Sequence, residues 1–302
     1  MTFRVAIAAR FPEHAAIMAI DLKATNGATS PPAALMQAIA DRKERPKPWV
    51  DADAFPWRDE EFSARYVRRA NYQSLYGMQE TGDDVDAVCA LLECAPKASV
   101  LDLCSGNGRH AIAMALRGRR ATGIDVGTGP VQLARETAKN LGLSIDFRLL
   151  DLKRISFEDA YDGAYLTCGG FSDFSPADAA EILSIVGRAI VPGGRFVFEY
   201  ADAGSASRAD ERSWQFVSAE QSMFYDGPHL QLDERVYDAD SDADVFRHFV
   251  VPSDGHVREF SRCRQYYKED AVRAMVAAAH LEPIGSSEGS APGFKRFTAK
   301  RP

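Results

Sequence analysis

The chain has 302 residues, with 36 Lys and Arg against 43 Asp and Glu and a formal net charge of −7, enough length for one α/β domain with additions. The acidic balance argues against a nucleic-acid partner, which would be gripped through its phosphates by clustered Lys and Arg. No apolar run approaches the ~20 residues of a bilayer span, and Arg4 and Arg10 interrupt the first residues before a signal-peptide core forms, so no membrane association and a cytoplasmic location are expected.

Residues 1–48 are Ala-rich and end in Arg42-Lys-Glu-Arg-Pro-Lys-Pro48, which reads as an extension and linker. Residues 49–95 carry helical spacing, with Phe62, Tyr66 and Val67 in one helix and Val85, Val88, Leu91 and Leu92 in another, and form an amino-terminal helical cap. From residue 96 to 302 the main domain is expected. Strands at Ser99–Leu103, Ala121–Asp125 and Ile145–Leu149 alternate with helices from Arg109 and Pro130. A strand at Gly163–Thr167, a helix from Pro176 to about Ile190, the turn Pro192-Gly-Gly194 and a strand at Arg195–Glu199 continue the pattern. Right-handed crossovers make a doubly wound parallel sheet the economical topology.

Across 213–264 the period changes to alternation, with strands expected at Gln215–Phe224, Leu230–Tyr237, Val245–Val251 and Val257–Tyr267. This is an antiparallel β insert after the fifth strand, serving as a lid and acceptor wall through Trp214, Tyr225, His229 and His248, or as a dimer element. A helix at Lys268–His280 and a strand region at 282–299 close the chain. The five cysteines, Cys89, Cys94, Cys104, Cys168 and Cys263, have no C-x-x-C spacing and the six histidines no paired spacing, so no metal site is expected.

The strongest chemical element is Val100-Leu-Asp-Leu-Cys-Ser-Gly-Asn-Gly-Arg-His110, a strand running into a glycine turn and then a helix. Such a turn leaves backbone N–H groups facing a cleft, where an anionic group binds. Gly106-Asn-Gly108-Arg-His-Ala111 also satisfies the dinucleotide pattern, with Asp125 at nearly the expected interval, so an NAD-dependent oxidoreductase is an alternative. Asp102 discriminates, because a carboxylate at the strand tip repels a pyrophosphate and attracts the ammonium of an amino acid.

The segment resembles motif I of the class I S-adenosylmethionine-dependent methyltransferases, in the variant D-x-C-x-G-x-G-R-H, with Cys104 where many relatives have the first glycine. Gly123-Ile-Asp125, Leu150-Asp-Leu152, Tyr161–Cys168 and Val191-Pro-Gly-Gly-Arg195 match the later elements in order. The resemblance implies a mostly parallel seven-stranded Rossmann-like sheet with S-adenosylmethionine as cofactor. It implies that Asp102, Ser105, Gly106 and Gly108 surround the methionine moiety, with Arg109 on its carboxylate and Tyr72 nearby. Asp125 would take the ribose diol with Val126 beside it, Asp151 and Leu152 the adenine, and Cys168 and Gly169 the methyl end.

The activity implied is in-line methyl transfer to an N, O or C nucleophile of a small molecule. A non-catalytic S-adenosylmethionine-binding protein is a further alternative. Because a sulfonium methyl is already activated, catalytic identity is weakly encoded. The candidates for a general base are Asp173, Glu199, His229 and His248. Tyr66, Tyr72, Tyr76, Phe171, Phe174, Trp214, Phe224, Tyr266 and Tyr267 form the aromatic set from which a lid would be built, although Phe224 and Tyr267 read better as core. Exposed edges of the insert make a homodimer plausible. The acceptor is not legible in the sequence.

Overall fold

The computed structural model describes residues 46–50, 57, 59–68, 78–218, 222–252 and 256–302. The expected extension therefore lies, up to residue 45, outside the described residues, as do Tyr72, Tyr76 and the side chain of Tyr66.

Helices α1 (Glu60–Arg68) and α2 (Met78–Leu92) lead into β1 (Ser99–Leu103), α3 (Arg109–Leu116), β2 (Arg120–Asp125), α4 (Thr128–Asn140) and β3 (Asp146–Leu149). A loop leads to β4 (Tyr161–Leu166), then α5 (Pro176–Ala189) and β5 (Ile190–Asp202). Pro176 and the Ser175 hydroxyl start α5, the hydroxyl accepting from the Asp178 N–H at 3.1 Å. Four insert strands follow, β6 (Glu211–Val217), β7 (His229–Asp238), β8 (Ala243–Pro252) and β9 (Arg258–Tyr267), before α6 (Glu269–Ala278), β10 (Glu282–Glu288) and β11 (Phe294–Lys300).

Among the described residues the main sheet runs β3-β2-β1-β4-β5-β11-β10, parallel through β5, with β11 antiparallel to both of its neighbours. β1 and β4 lie in the middle and are buried on both faces, as the near-continuous apolar runs of parallel strands require. Leu101, Leu103, Leu166, Phe196 and Phe198 meet α5 and α6 on one side. Val100, Tyr165 and Val197 meet α2, α3 and α4 on the other. Full burial of each large side chain contributes about 1.5–3 kcal/mol, and the two layers make the sheet doubly wound. The chain order reverses between β1 and β4, which opens a crevice at the carboxyl ends of those strands.

Several expectations shift. Val85, Val88 and Leu92 place α2 in the layer covering the sheet, so among the described residues of the expected cap α1 is the helix that stands apart from that layer. α1 rests on α4, where Ser63 Oγ accepts from the Gly129 N–H at 3.1 Å. The turn expected at Pro192-Gly-Gly194 is an irregularity inside β5, because the Gly193 N–H donates to Arg301 O and the Arg301 N–H to Gly194 O. The first insert strand ends at Val217 rather than Phe224. Ser222 Oγ accepts from the Phe224 and Tyr225 N–H groups, both at 3.0 Å, which folds that stretch into a turn. The last strand region is the hairpin β10–β11, and β11 closes the sheet against β5. The insert joins the sheet where Ala201 and Asp202 of β5 pair with Tyr266 and Tyr267 of β9.

Candidate functional site

Past the tip of β1 the backbone turns through left-handed residues at Cys104 (φ 54), Gly106 (φ 53) and Gly108 (φ 76). The turn is stitched to β2, since the Ser105 N–H donates to Ile124 O and the Gly106 N–H to Asp125 Oδ2, each at 2.9 Å. Asp102 is 2% exposed on the face of β1 toward α3, and its Oδ2 accepts from the Ala111 N–H at 3.1 Å. Burial pushes its carboxyl up to about 8, because a charge in that position lacks water. Ser105 is buried beside it, its hydroxyl without a hydrogen-bond partner among the described residues.

One crevice is lined by Asp102, Ser105, Gly106, Arg109, Asp125, Val126, Asp151, Leu152 and Cys168 of the expected set. The apolar Ile124, Pro130 and Leu150 complete its middle. Asp125 sits at the end of β2, with Oδ1 accepting from the Gly127 N–H at 2.7 Å and Oδ2 from Gly106, while burial raises its pKa. A carboxylate offers about four lone-pair sites, so those two bonds leave acceptor capacity on both oxygens. Asp151 caps the turn Leu152–Arg154, accepting from the Lys153 N–H at 3.0 Å. Arg109 opens α3, with Nη1 donating to Thr81 Oγ1 at 2.7 Å and Nη2 to Cys168 Sγ at 2.9 Å.

Two expected ligand glycines serve packing instead. A Cβ on Gly108 would lie 2.5 Å from the Phe147 ring and 2.9 Å from Ala134, so this glycine lets α3 seat against β3 and α4. A Cβ on Gly169 would meet the Phe294 ring at 2.1 Å, and the Gly169 N–H donates to Glu199 Oε2 at 3.2 Å. Neither lines the crevice.

Of the four candidate bases only Asp173 lines the crevice, and burial raises its pKa. Glu199 is fully buried, with its oxygens accepting from Arg296, from Gly169 and from the backbone and hydroxyl of Ser290. His229 is buried in the insert, Nδ1 on Gly227 O at 2.9 Å and Nε2 on Ser222 Oγ at 3.2 Å. His248 pairs with Asp233 at 2.6 Å and stacks on Phe224. These three are held by structure, away from the crevice.

The aromatic set divides in the same way. Phe174 lines the crevice, whereas Phe171 packs on Phe198 and Tyr267, and Phe224 packs on Phe62 and Phe260 in the core under α1. Trp214 packs with Leu232, Phe249 and Val251 within the insert.

Residues outside the expected set also matter. Trp57 and Asn107 line the crevice, and Trp57 packs edge-on to Phe62, linking the rim to the insert. His110, buried in the first turn of α3, bonds Asp84 at 2.7 Å, and burial lowers its pKa. Arg296 joins Asp84 to Glu199. Arg262 and Arg264 of β9 also stand outside that set, and for them the sequence offers a signal, because residues two apart in a strand share one face.

Residues 100–194 match the model of a methyltransferase domain family. A ubiquinone biosynthesis O-methyltransferase of Stutzerimonas stutzeri (strain A1501) is 32% identical over 99 residues, 33% of this chain and 42% of that protein, so the chain spans less than half the length of this curated relative. Among solved structures, the CcbJ methyltransferase of Streptomyces caelestis superposes with TM-score 0.61 at 18% identity, covering 82% of this chain and 99% of that one. The 1,6-didemethyltoxoflavin-N1-methyltransferase of Burkholderia thailandensis, with TM-score 0.53 and 17% identity, covers 85% and 92%. The fold, the motif order and the matched stretch place residues 100–194 in the class I S-adenosylmethionine-dependent methyltransferase superfamily.

Proposed function

We propose that this chain is an enzyme that transfers the methyl group of S-adenosylmethionine to a nitrogen, oxygen or carbon nucleophile of a small molecule. The observation that carries the reading is Asp102, a buried carboxyl on the floor of a turn rich in backbone N–H groups. A pyrophosphate would keep Asp102 protonated and gain no charge pairing from it, whereas an amino-acid ammonium would ionise Asp102 and pair with it. The buried Ser105 hydroxyl, which lacks a partner among the described residues, fits a polar ligand at the same level.

In this reading Asp102, Ser105 and Gly106 hold the methionine end, and Arg109 faces its carboxylate. Asp125 accepts from the ribose diol on the lone pairs that Gly106 and Gly127 do not use. Leu150, Leu152 and Pro130 bracket the adenine, with Asp151 at its edge. The sulfonium of the bound cofactor supplies an already activated methyl group. The protein's remaining tasks are in-line approach and exclusion of water, which Phe174 and Trp57 serve at the rim. Asp173 receives the acceptor's proton where one must leave, and burial raises its pKa, which makes it a stronger base than an exposed carboxylate.

A small acceptor is supported by relatives of the same fold, one of which holds 1,6-didemethyltoxoflavin together with S-adenosylhomocysteine. The same reading has the chain work in the cytoplasm without nucleic acid, and the outer edge of β6, unpaired among the described residues, is the place for a homodimer contact. Mass spectrometry of the ligand released from purified protein, with calorimetry of S-adenosylhomocysteine, tests the core of the proposal. A dinucleotide, or no binding of S-adenosylhomocysteine by folded protein, would overturn it.

A further inference from the structure

The insert carries two arginines on β9, the strand that contacts the turn bearing Asp173; neither lines the crevice itself, which Asp173 does. Arg262 and Arg264 are separated by one residue in β9 and so project from the same face. Arg262 Nη1 stands 3.9 Å from Asp173 Oδ1, and Asp173 lines the crevice next to Phe174. Arg264 lies over the Phe294 ring at 5.2 Å, and that ring abuts Gly169 beyond the tip of β4. Both guanidiniums also sit on Phe246, Arg262 at 4.1 Å and Arg264 at 5.3 Å from the ring centroid.

The local charges do not balance. Asp244 is engaged by Arg235 at 3.3 Å and by the Tyr266 hydroxyl at 2.7 Å, and Glu199 by Arg296 and Ser290. That leaves Asp173, at a distance too long for a hydrogen bond, against two cations. Among the described residues no hydrogen bond or ion pair reaches Arg264, and its Nε is buried without a partner. Burial, and after it the neighbouring Arg264, lower the pKa of Arg262. Two half-buried guanidiniums side by side repel one another, and an anion placed between them relieves that repulsion. A planar fork of N–H donors meets carboxylate and phosphate oxygens in pairs, and Phe246 fixes the planes from which those donors project.

We propose that Arg262 and Arg264 form an oxyanion subsite for the methyl acceptor, so that the substrate class is a small molecule bearing a carboxylate or a phosphate. The inference rests on the methyl-transfer reading for the word acceptor, and on the arginine pair for the charge. The anionic group is held on β9, the reacting atom is directed toward Asp173 and Cys168, and uncharged analogues are disfavoured because they leave the pair uncompensated.

The test uses the full chain saturated with S-adenosylhomocysteine and a matched set of aromatic carboxylates, aromatic phosphate monoesters and the corresponding primary amides, screened by saturation-transfer NMR and titrated by calorimetry. At least one anionic member is expected to bind about tenfold or more tightly than its amide. In the Arg262→Gln/Arg264→Gln variant that preference should fall to within about twofold, with S-adenosylhomocysteine affinity unchanged. The carboxylate and phosphate arms identify which oxyanion is held. The proposal is overturned if no anion binds, if acids and amides bind alike, or if the preference persists in the double variant. The acid-to-amide comparison on the unaltered chain decides the matter even where the double variant fails to fold. Should S-adenosylhomocysteine not bind, the methyl-transfer reading falls, while the acid preference still reads the arginine pair by itself.

Discussion

Arg296 donates through Nε at 3.1 Å and Nη2 at 2.6 Å to one oxygen of Glu199, joining β11 to the centre of β5. The same guanidinium reaches Asp84 of α2, which holds His110, so one buried chain of charges links the helix behind the glycine turn to the last strand. Removing Glu199 would leave Arg296 buried beside one carboxylate in place of two. Glu199→Ala is therefore expected to lower stability by about 3 kcal/mol in denaturant unfolding. Unchanged stability would contradict the structural role, and a bell-shaped pH–rate profile that loses its acid limb in Glu199→Gln would restore Glu199 as a base.

Asp125 gathers the Gly106 and Gly127 N–H groups and faces the crevice between them. Asp125→Ala is expected to weaken S-adenosylhomocysteine binding by about tenfold or more, through two lost charge-assisted bonds and a loosened turn. Calorimetry on the folded variant reads this directly. An affinity within twofold of the parent chain removes the ribose assignment.

The Asp102 carboxyl, held near 8 by burial, gives a signed dependence on pH. An unfolded chain ionises this group near its ordinary 3.8, whereas the folded, unliganded chain keeps the proton until about 8. Across that window the unfolded state binds fewer protons, so this residue makes stability fall as pH rises. Binding of an ammonium ion requires the ionised form, and affinity for S-adenosylhomocysteine should accordingly rise between pH 6 and 8. Asp102→Asn should flatten both trends and weaken binding. Titrations at several pH values, with thermal unfolding alongside, test the pair of slopes; an affinity that falls over this range would place the ligand's cation elsewhere.

Trp214 and His229, expected from the sequence to face an acceptor, are held within the insert, whereas Trp57 lines the crevice. Trp57→Ala should raise the acceptor KM or the S-adenosylhomocysteine Kd by about threefold or more. Trp214→Ala should lower stability by about 3 kcal/mol or less, the toll of an emptied aromatic site, with KM unmoved. Kinetics and unfolding measured on the same samples separate these outcomes. A KM shift in Trp214→Ala alone would return the pocket to the insert.

Gly108 offers a purely steric prediction. Its backbone is left-handed, and the Phe147 ring lies 2.5 Å from where a Cβ would stand, which leaves no room for a side chain. Gly108→Ala should lower stability by about 2 kcal/mol or more and reduce cofactor affinity by displacing the turn. Circular-dichroism melts and calorimetry check it, and a variant as stable as the parent would show that α3 has freedom to shift.

What the sequence determined by itself is the part of the molecule written in short-range chemistry. Alternating apolar runs and helices, with glycines and acids at strand ends, specify the order from β1 to β5 and the line of Asp102, Asp125 and Asp151 along the crevice. Asp102 and Asp125 lie in β1 and β2 and Asp151 two residues past the end of β3, and a strand's end is legible from local periodicity. The tertiary structure decided which polar residues were already engaged. Glu199, His229 and His248 resemble any other base candidates along the chain, yet the partners that bind them are Arg296, Ser222 and Asp233, brought near by pairings far apart in sequence or by a turn. It also set Arg262 and Arg264 opposite Asp173, because β9 joins the end of β5 through only Ala201 and Asp202. A charge advertises its type in the sequence, but its partner and its exposure to water are settled only when distant strands meet.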